Sequence, residues 1–164
     1  MQTHYSTMPS PVGELTFTGT AEGLTGLWFD TDRHQHDRTD WLYDDKMFAE
    51  ARRQLEEYFA GTRQMFTLKL AAQGTSFQQQ VWAALCTIPF GETRSYGEQA
   101  RSIQNEKAVR AVGLANGRNP IGIIVPCHRV IGANGSLTGY AGGLDRKRWL
   151  LRHEAQYRSQ GLFA

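Results

Sequence analysis

The segment Ile124–Ile131, which reads IVPCHRVI, places a cysteine, a histidine and an arginine side by side in an otherwise apolar run. A fold that buries this run must also bury a thiol, an imidazole and a guanidinium, and buried polar groups are costly unless each has a partner. Pro126 fixes its own φ and restricts Val125, so Cys127 is presented on a stiff bend. We therefore expect a chemical role for this run.

A cysteine becomes a strong nucleophile when a neighbouring base or positive charge stabilises its thiolate. His128 follows Cys127 directly, and Arg129 adds positive charge. A Cys-His pair also needs an acid to orient the imidazole. The second half of the chain offers Glu92, Glu98, Glu106, Asp145 and Glu154. We choose Glu154, at the end of a helical pattern, although an ordinary surface glutamate there would look the same.

Length and composition bound the class of protein. The chain has 164 residues, of which 40% are hydrophobic, and this suits one compact unit or two small units that share an interface. Neither a secretory signal nor an apolar run of roughly 18 residues is present, so we expect no membrane segment. Cys86 and Cys127 have no CxxC spacing, and we therefore expect no disulfide framework, no cysteine zinc site and a cytoplasmic location.

The two halves of the chain differ in charge, although the whole carries only +2. Residues 1–80 contain seven Lys/Arg and eleven Asp/Glu, a net charge of −4, whereas residues 81–164 contain eleven and five, a net charge of +6. A basic half predicts contact with a polyanion, of which nucleic acid is the commonest. Chance segregation of solvated charges explains the same numbers equally well.

The first part of the chain has the pattern of a small antiparallel sheet with one helix. Leu15–Thr18 alternates like a half-buried strand, Leu24–Phe29 is its hairpin partner, and Phe66–Leu70 is a further strand. Apolar residues recur at helical spacing over 48–58, and Gly61 stands where a C-terminal cap belongs. Nothing in this part suggests chemistry.

A polar tract over 30–40 is predicted to form a loop. It contains His34 and His36, but no cysteine or third clear ligand stands nearby, so we expect no metal site. Residues 71–74 are the expected linker, which divides the chain into domains 1–73 and 74–164.

The second part is mostly helical. Thr75 or Ser76 can cap a helix that runs to Pro89, and Cys86 within it is predicted to be an inert, buried thiol.

Two shorter helices follow. Ser95 and Glu98 have the spacing of a capping box for a helix that ends at about Ile103, and Asn105 is the predicted cap of a helix over 106–116. Two short helices separated by a few polar residues have the dimensions of a helix-turn-helix.

The second of these helices carries positive charge and small residues. Lys107 and Arg110 stand three apart and project from nearby faces. The small residues, which let the helix approach a neighbour closely, are Ala108, Ala111, Gly113 and Ala115. That neighbour is either the protein core, which the spacing favours, or a nucleic-acid groove, which the local charge favours.

These motifs resemble those of the O6-alkylguanine-DNA alkyltransferases, also called methylated-DNA–protein-cysteine methyltransferases. PCHRVIG, with GRNP before it and TGYAGGLDRKRWLLRHE after it, carries the resemblance over about residues 74–156, and PFGETRSYGEQA and KAVRAVGLAN match the helix-turn-helix of the family. Residues 1–73 are more loosely similar to its ribonuclease-H-like domain. The resemblance implies an α+β fold, in which a small antiparallel sheet precedes a mostly helical domain.

The resemblance implies a role for each site residue. Cys127 would accept the alkyl group by in-line attack on the methyl carbon of O6-methylguanine. His128 would take the thiol proton through a water molecule, Glu154 would hold the imidazole, and Asn119 would brace the turn that presents the cysteine. The base would be held by a further group: Tyr96 and the backbone N–H of Ala141 as donors, Tyr140 as a wall and Lys147 nearby.

The same resemblance implies double-stranded DNA as the partner, bound through its minor groove by a monomer. Arg110 would occupy the place of the flipped base, because a base inside a duplex cannot reach a buried thiol. The other expected DNA contacts are Ser95, Lys107, Ala111 and Asn116. No metal and no cofactor are expected. Since nothing in the chain could demethylate a thioether, each molecule would react once, with O6-methylguanine or O4-methylthymine.

Two other functions explain part of the sequence. A cysteine hydrolase with Cys127, His128 and Glu154 shares the nucleophile but leaves the two short helices and the basic half unexplained. A non-catalytic lesion-binding protein, or a plain helix-turn-helix regulator, explains those features. Non-catalytic relatives, however, replace the reactive cysteine, commonly by tryptophan, and Cys127 is present.

Overall fold

The computed structural model of the protein describes residues 1–31 and 38–159. The strands are β1 His4–Met8, β2 Leu15–Thr20, β3 Gly23–Phe29, β4 Leu42–Tyr43, β5 Arg94–Ser95 and β6 Val130–Ile131. The helices are α1 Ala49–Phe59, α2 Ser76–Leu85, α3 Tyr96–Ser102, α4 Val109–Gly117 and α5 Leu144–Tyr157. A small sheet in the first part and helices in the second confirm the predicted α+β class. The predicted loop histidines, His34 and His36, lie outside the described residues.

The N-terminal sheet has the strand order β3-β2-β1-β4. β2 pairs antiparallel with β3, which confirms the predicted hairpin, and also with β1. Neither β1 nor the two-residue β4 was predicted, and β4 pairs with β1 in parallel.

The prediction that β2 is half-buried was wrong, because both of its faces are covered. Leu15 and Phe17 face the core, with the Phe17 ring stacked on that of Phe48. On the other face, the Thr18 hydroxyl accepts hydrogen bonds from Thr25 and Trp28. Alternation therefore marks two buried faces here, one apolar and one hydrogen-bonded.

The predicted strand Phe66–Leu70 was also wrong, since only Leu70 forms a bridge, with Leu24. The fully buried side chain of Gln54 on α1 explains the difference. Its Oε1 accepts a hydrogen bond from the backbone N–H of Thr67 at 2.9 Å, and its Nε2 donates to the Thr67 hydroxyl at 3.0 Å. A side chain thus takes the place of a strand neighbour.

Two of the three predicted N-terminal helix caps are confirmed. Thr75 and Ser95 each form a full capping box with the residue three positions later. Asn105 makes no side-chain cap, because its backbone (φ −143°, ψ 68°) lacks the extended geometry of a capping residue, and a 3-10 turn precedes α4 instead. Gly61, with φ +83°, ends the region of α1 as predicted.

The prediction that Cys86 is buried within a helix was wrong. α2 ends at Leu85, which takes the inward position of the last turn, and Cys86 follows it as an exposed residue. Its sulfur is nevertheless partly desolvated, and this raises the pKa of the thiol against the opposing charge of Arg129. Such a thiol is a poor nucleophile.

One hydrophobic core draws on both parts of the chain. Leu27 in β3 donates its backbone N–H to Pro120 O at 2.9 Å and accepts from Gly122 N at 3.2 Å. The segment that leads to Cys127 is therefore anchored on the N-terminal sheet. Among the described residues, no helix combines the length and apolar character needed to cross a lipid bilayer.

Candidate active site

Cys127 is presented by a turn that follows a strained stretch of backbone. The cysteine begins a 3-10 turn, Cys127–Arg129, directly after Pro126. Four residues earlier, Ile123 is fully buried with φ +70°, a left-handed conformation that a β-branched residue rarely adopts. Strain of this kind costs on the order of 1–3 kcal/mol and persists only where the surrounding structure imposes it. The backbone bend over residues 121–127 therefore depends on the side chains packed around it.

Asn119 is the neighbour that closes this bend. Its Nδ2 donates to Val125 O at 2.8 Å and to the Cys127 sulfur at 3.3 Å. Its Oδ1 accepts from the backbone N–H of Ile121 at 3.0 Å. One buried side chain thus joins both ends of the bend and fixes the position of the sulfur.

Behind the cysteine, Glu154 collects hydrogen bonds from four directions. His128 Nε2 lies 2.7 Å from Oε2, and Arg129 donates from Nε to Oε1 at 2.8 Å and from Nη2 to Oε2 at 3.0 Å. The Tyr58 hydroxyl donates to Oε2 at 2.7 Å, and Gly91 N donates to Oε1 at 3.2 Å. Glu154, His128 and Arg129 are all buried, so this cluster is shielded from solvent.

The charges of the cluster decide which partner holds the proton. Burial alone would raise the pKa of Glu154, but His128 and Arg129 outweigh it and hold that pKa below its ordinary value. Desolvation lowers the pKa of His128, with Glu154 partly opposing. Because the permanent charge of Arg129 balances the carboxylate, the cluster is neutral when His128 is neutral.

A neutral His128 has one defined tautomer here. An ionised carboxylate can only accept, so the ring donates its Nε2–H to Glu154 and Nδ1 carries the lone pair. Nδ1 is buried and has no hydrogen-bond partner among the described residues. This arrangement suits a general base, because an unprotonated ring nitrogen belongs to the residue directly after the thiol.

A cavity of about 480 Å³ opens beside the sulfur. Its lining includes Tyr96, Asn116, Cys127, Thr138, Tyr140 and Ala141. The volume is in the usual range for a small-molecule pocket. The Tyr96 hydroxyl lies 2.7 Å from Thr138 Oγ1, and the Tyr140 ring packs edge-on against Phe29. The structure thus brings the predicted base-binding side chains Tyr96 and Tyr140 to the cysteine.

Lys147 supports the cavity wall from behind. Its buried Nζ donates to Val130 O at 2.6 Å and to Thr138 O at 2.9 Å. Desolvation lowers the pKa of Lys147, with Cys127 opposing. The side chain therefore joins β6, just after the cysteine turn, to the segment that lines the cavity.

The outer face of α4 lies next to the cavity. Arg110 and Ala111 are exposed there, and so is Leu114, 71% of whose surface is accessible. Lys107 is exposed in the 3-10 turn just before α4. Asn116 differs, because its buried amide exchanges two hydrogen bonds with Gln99, at 2.9 and 2.8 Å. That pair braces α3 against α4.

The core interpretation of the small residues on α4 is confirmed for Ala115, and their contact with a nucleic-acid groove stays a prediction. Ala115 is buried in the core, whereas Ala111 faces outward. Ser95 serves locally, since its hydroxyl accepts from the backbone N–H of Glu98 as the cap of α3.

Comparison with known proteins assigns the chain to a family. The family model described as "6-O-methylguanine DNA methyltransferase, DNA binding domain" matches residues 76–156, and the one described as "6-O-methylguanine DNA methyltransferase, ribonuclease-like domain" matches residues 3–72. The chain belongs to the 6-O-methylguanine DNA methyltransferase family.

Several relatives in this family are similar over nearly the whole chain. The methylated-DNA–protein-cysteine methyltransferase of Methanosarcina acetivorans is 55% identical over 152 residues, which cover 92% of this chain and 97% of that protein. The protein of the same name from Mycobacterium tuberculosis is 56% identical over 151 residues, 92% of either chain. The crystal structure of Mycobacterium tuberculosis OGT in complex with DNA has a TM-score of 0.90 at 55% identity, over 94% of each chain.

Sequence reasoning missed three groups on the carboxylate of this 6-O-methylguanine DNA methyltransferase family member. The sequence shows Arg129 only as a positive charge, but a buried arginine needs an acidic partner, and that partner is Glu154. Gly91 gave a weaker signal as a turn glycine; its φ of +81° is a conformation that favours glycine. Tyr58 gave no local signal, because it lies 96 residues from Glu154.

Proposed function

We propose that this protein repairs DNA by transferring the alkyl group of O6-methylguanine to its own Cys127. The observation that carries the proposal is a thiol in the wall of a cavity of about 480 Å³, followed directly by a buried histidine that contacts Glu154. The relatives named above are methylated-DNA–protein-cysteine methyltransferases, and the DNA complex of one of them supports DNA as the partner.

The reaction is a displacement at carbon. The Cys127 thiol passes its proton through a water molecule to Nδ1 of His128, while Glu154 and Arg129 balance the charge that forms on the ring. The sulfur then attacks the methyl carbon, so that an S–C bond forms as the C–O6 bond breaks. The electron pair of the broken bond goes to the guanine, which finally holds the proton lost by the thiol.

The cavity would stabilise the departing base. Tyr96 and the backbone N–H of Ala141 would donate hydrogen bonds to guanine as negative charge develops on it. Tyr140 would form one side of the pocket. Lys147 would act indirectly, by holding the segment that lines the pocket in place. Asn119 would hold the sulfur in line with the methyl carbon.

DNA would meet the outer face of α3 and α4, used as a helix-turn-helix in the minor groove. Arg110 would fill the place of the flipped base, while Lys107, Ala111 and Ser95 would lie along the DNA backbone. We add Leu114, whose exposed apolar side chain suits an unstacked base step. Asn116 would act indirectly, because Gln99 occupies its side-chain amide and the pair braces α3 against α4.

We propose the remaining features on chemical grounds. The thioether product is stable, and we expect no cofactor to act on it, so each molecule would accept one alkyl group. O4-methylthymine presents the same O–methyl bond and would also react. Residues 1–73 and 74–164 would form the two domains of a cytoplasmic monomer.

The mass of the protein after incubation with excess methylated duplex tests the proposal. We expect a gain of one methyl group in the peptide that contains Cys127, and the same gain in Cys86→Ser, the matched control. Cys127→Ser should gain none and still bind the duplex. A methyl-to-protein ratio well above one would exclude a single-use acceptor, and continuous hydrolysis of an acyl ester would favour a hydrolase. DNA binding without any methyl gain would identify a lesion-binding protein.

A further inference from the structure

Tyr58 connects the N-terminal part of the chain to the carboxylate behind Cys127. It lies near the end of α1, is fully buried, and directs its hydroxyl at Glu154 Oε2 from 2.7 Å. His128 Nε2 contacts the same oxygen, also at 2.7 Å. Burial, and then the charge of Glu154, raise the pKa of Tyr58 well above its ordinary value, so the phenol is neutral and donates. Nothing in the reaction described above uses this group.

The phenol ring has little freedom to leave that position. Its ring contacts, with centroids 5.1–5.9 Å apart, are Phe59, Phe66, Phe90 and His153. His153 also places Nε2 2.7 Å from the carbonyl oxygen of Tyr58. Aromatic packing on several sides therefore aims the hydroxyl at the carboxylate.

We propose that Tyr58 is a positioning residue for alkyl transfer, which keeps the Glu154 carboxylate turned towards His128 and shares the negative charge of Oε2. The inference rests on the proposed function. Oε2 meets donors from Tyr58, His128 and Arg129, so its orientation is determined by three residues on two elements, α1 and the 3-10 turn Cys127–Arg129. Without the phenol, the carboxylate loses one of these restraints.

The hydrogen bond from Tyr58 to Glu154 also affects the pKa of His128, the proposed general base. A hydrogen bond from Tyr58 withdraws charge from Oε2 and so weakens its attraction for a proton on His128. Removing the hydroxyl leaves a stronger carboxylate, which raises the pKa of His128. The titratable and charged groups that face this network from the neighbouring elements are Cys86, Cys127, Arg129, Tyr140, Lys147 and His153.

Tyr58→Phe tests the proposal in a single-turnover assay with a methylated duplex, across the pH range in which histidine titrates. Because each molecule reacts once, the amplitude measures the active fraction and the rate constant measures the chemistry. Poor folding would therefore lower the amplitude alone. Tyr5→Phe is the matched control, since it removes a hydroxyl from a half-buried ring in the same part of the chain, packed on Trp41 and Tyr43.

We expect the rate constant of Tyr58→Phe at saturating duplex to fall about tenfold, as for a lost hydrogen bond to a charged group. The half-saturating duplex concentration should stay unchanged. The pH of half-maximal rate should move upward, because a more basic His128 remains protonated to higher pH. Tyr5→Phe should match wild type in all three quantities.

If the pH of half-maximal rate of Tyr58→Phe equals that of wild type, the proposal is overturned, whatever the rate constant. Such a result would mean that the hydroxyl does not influence the pKa of His128 and that Tyr58 has a merely structural role. In the Glu154→Gln background, Tyr58→Phe should cause no further shift of the midpoint; an undiminished shift would also overturn it. Wild-type protein that transfers no methyl group would refute the proposed function itself. Wild-type transfer with an unshifted Tyr58→Phe midpoint would refute the role of Tyr58 alone.

Discussion

Arg129 holds both carboxylate oxygens of Glu154, with 2.8 Å from Nε to Oε1 and 3.0 Å from Nη2 to Oε2. Its third nitrogen, Nη1, donates to Ile88 O at 2.7 Å, so all three nitrogens of the guanidinium have partners. The pair lets a buried acid remain ionised beside an uncharged histidine. The proposed base therefore depends on a residue that does not line the cavity.

Removing this counter-charge should destabilise the fold strongly. Arg129→Leu leaves Glu154 buried with an unbalanced charge, and we expect the free energy of unfolding to fall by about 3–5 kcal/mol. Urea denaturation at neutral pH measures this change in the free energy of unfolding. Arg148→Leu is the matched control, because Arg148 forms an exposed pair with Asp145 and should cost less than about 1 kcal/mol. Equal effects of the two substitutions would contradict the assigned role of Arg129.

Acidification should lower stability through His128 and Glu154. Both have folded-state pKa values below their ordinary values, so the unfolded chain binds protons that the folded chain does not. The stability they contribute is present above the unfolded-state pKa and is lost as pH falls through the folded-state pKa. For His128 the loss begins below about pH 6.5, with a slope of at most about 1.4 kcal/mol per pH unit.

Urea denaturation at a series of pH values measures this slope. His128→Gln should flatten it just below pH 6.5, where histidine titrates, and leave the steeper loss at lower pH that comes from carboxyl groups. If wild type and His128→Gln lose stability in parallel over that interval, the lowered pKa of His128 is wrong.

Asn119 should prove necessary for the reactivity of Cys127 as well as for the bend. Asn119→Ala removes three hydrogen bonds and leaves the strained backbone at Ile123 without its brace; we expect a loss of about 1–3 kcal/mol in stability. Methyl transfer should slow by about tenfold or more, since a misplaced nucleophile loses its alignment.

Asn119→Asp separates the two functions of this side chain. It keeps the acceptor for Ile121 but loses the donor to Val125 O and to the Cys127 sulfur. We expect single-turnover transfer as slow as in Asn119→Ala. A wild-type rate for Asn119→Asp would show that the donor to the sulfur has no role.

Arg110 should matter for duplex DNA and not for the chemistry. Arg110→Ala should slow transfer from a methylated duplex by about tenfold to a hundredfold, because flipping costs a few kcal/mol that the arginine would offset. Transfer from the free modified base should be unchanged. Arg53→Ala, which removes an exposed charge on α1 that pairs with Glu50 and Glu57, is the control. Equal slowing on duplex and free base would rule out a role in base flipping.

Local sequence chemistry determined the short-range features of this protein. A hydroxyl three residues before a glutamine or glutamate forms the capping boxes at Thr75 and Ser95, and a positive-φ glycine follows α1 at Gly61. Cys127 and His128 could be recognised because they are adjacent in the sequence, and both belong to one 3-10 turn. These features involve partners within a few residues, so the local sequence is enough to set their geometry.

The tertiary structure decided what lies between distant residues. The Gln54 side chain, and not a strand, pairs with Thr67, and Cys86 lies outside the core because Leu85 takes the inward position. The carboxylate of Glu154 gains Tyr58 and Gly91, which precede it by 96 and 63 residues. A buried charge requires several donors at once, and only the packing of the two parts of the chain determines which donors can reach it.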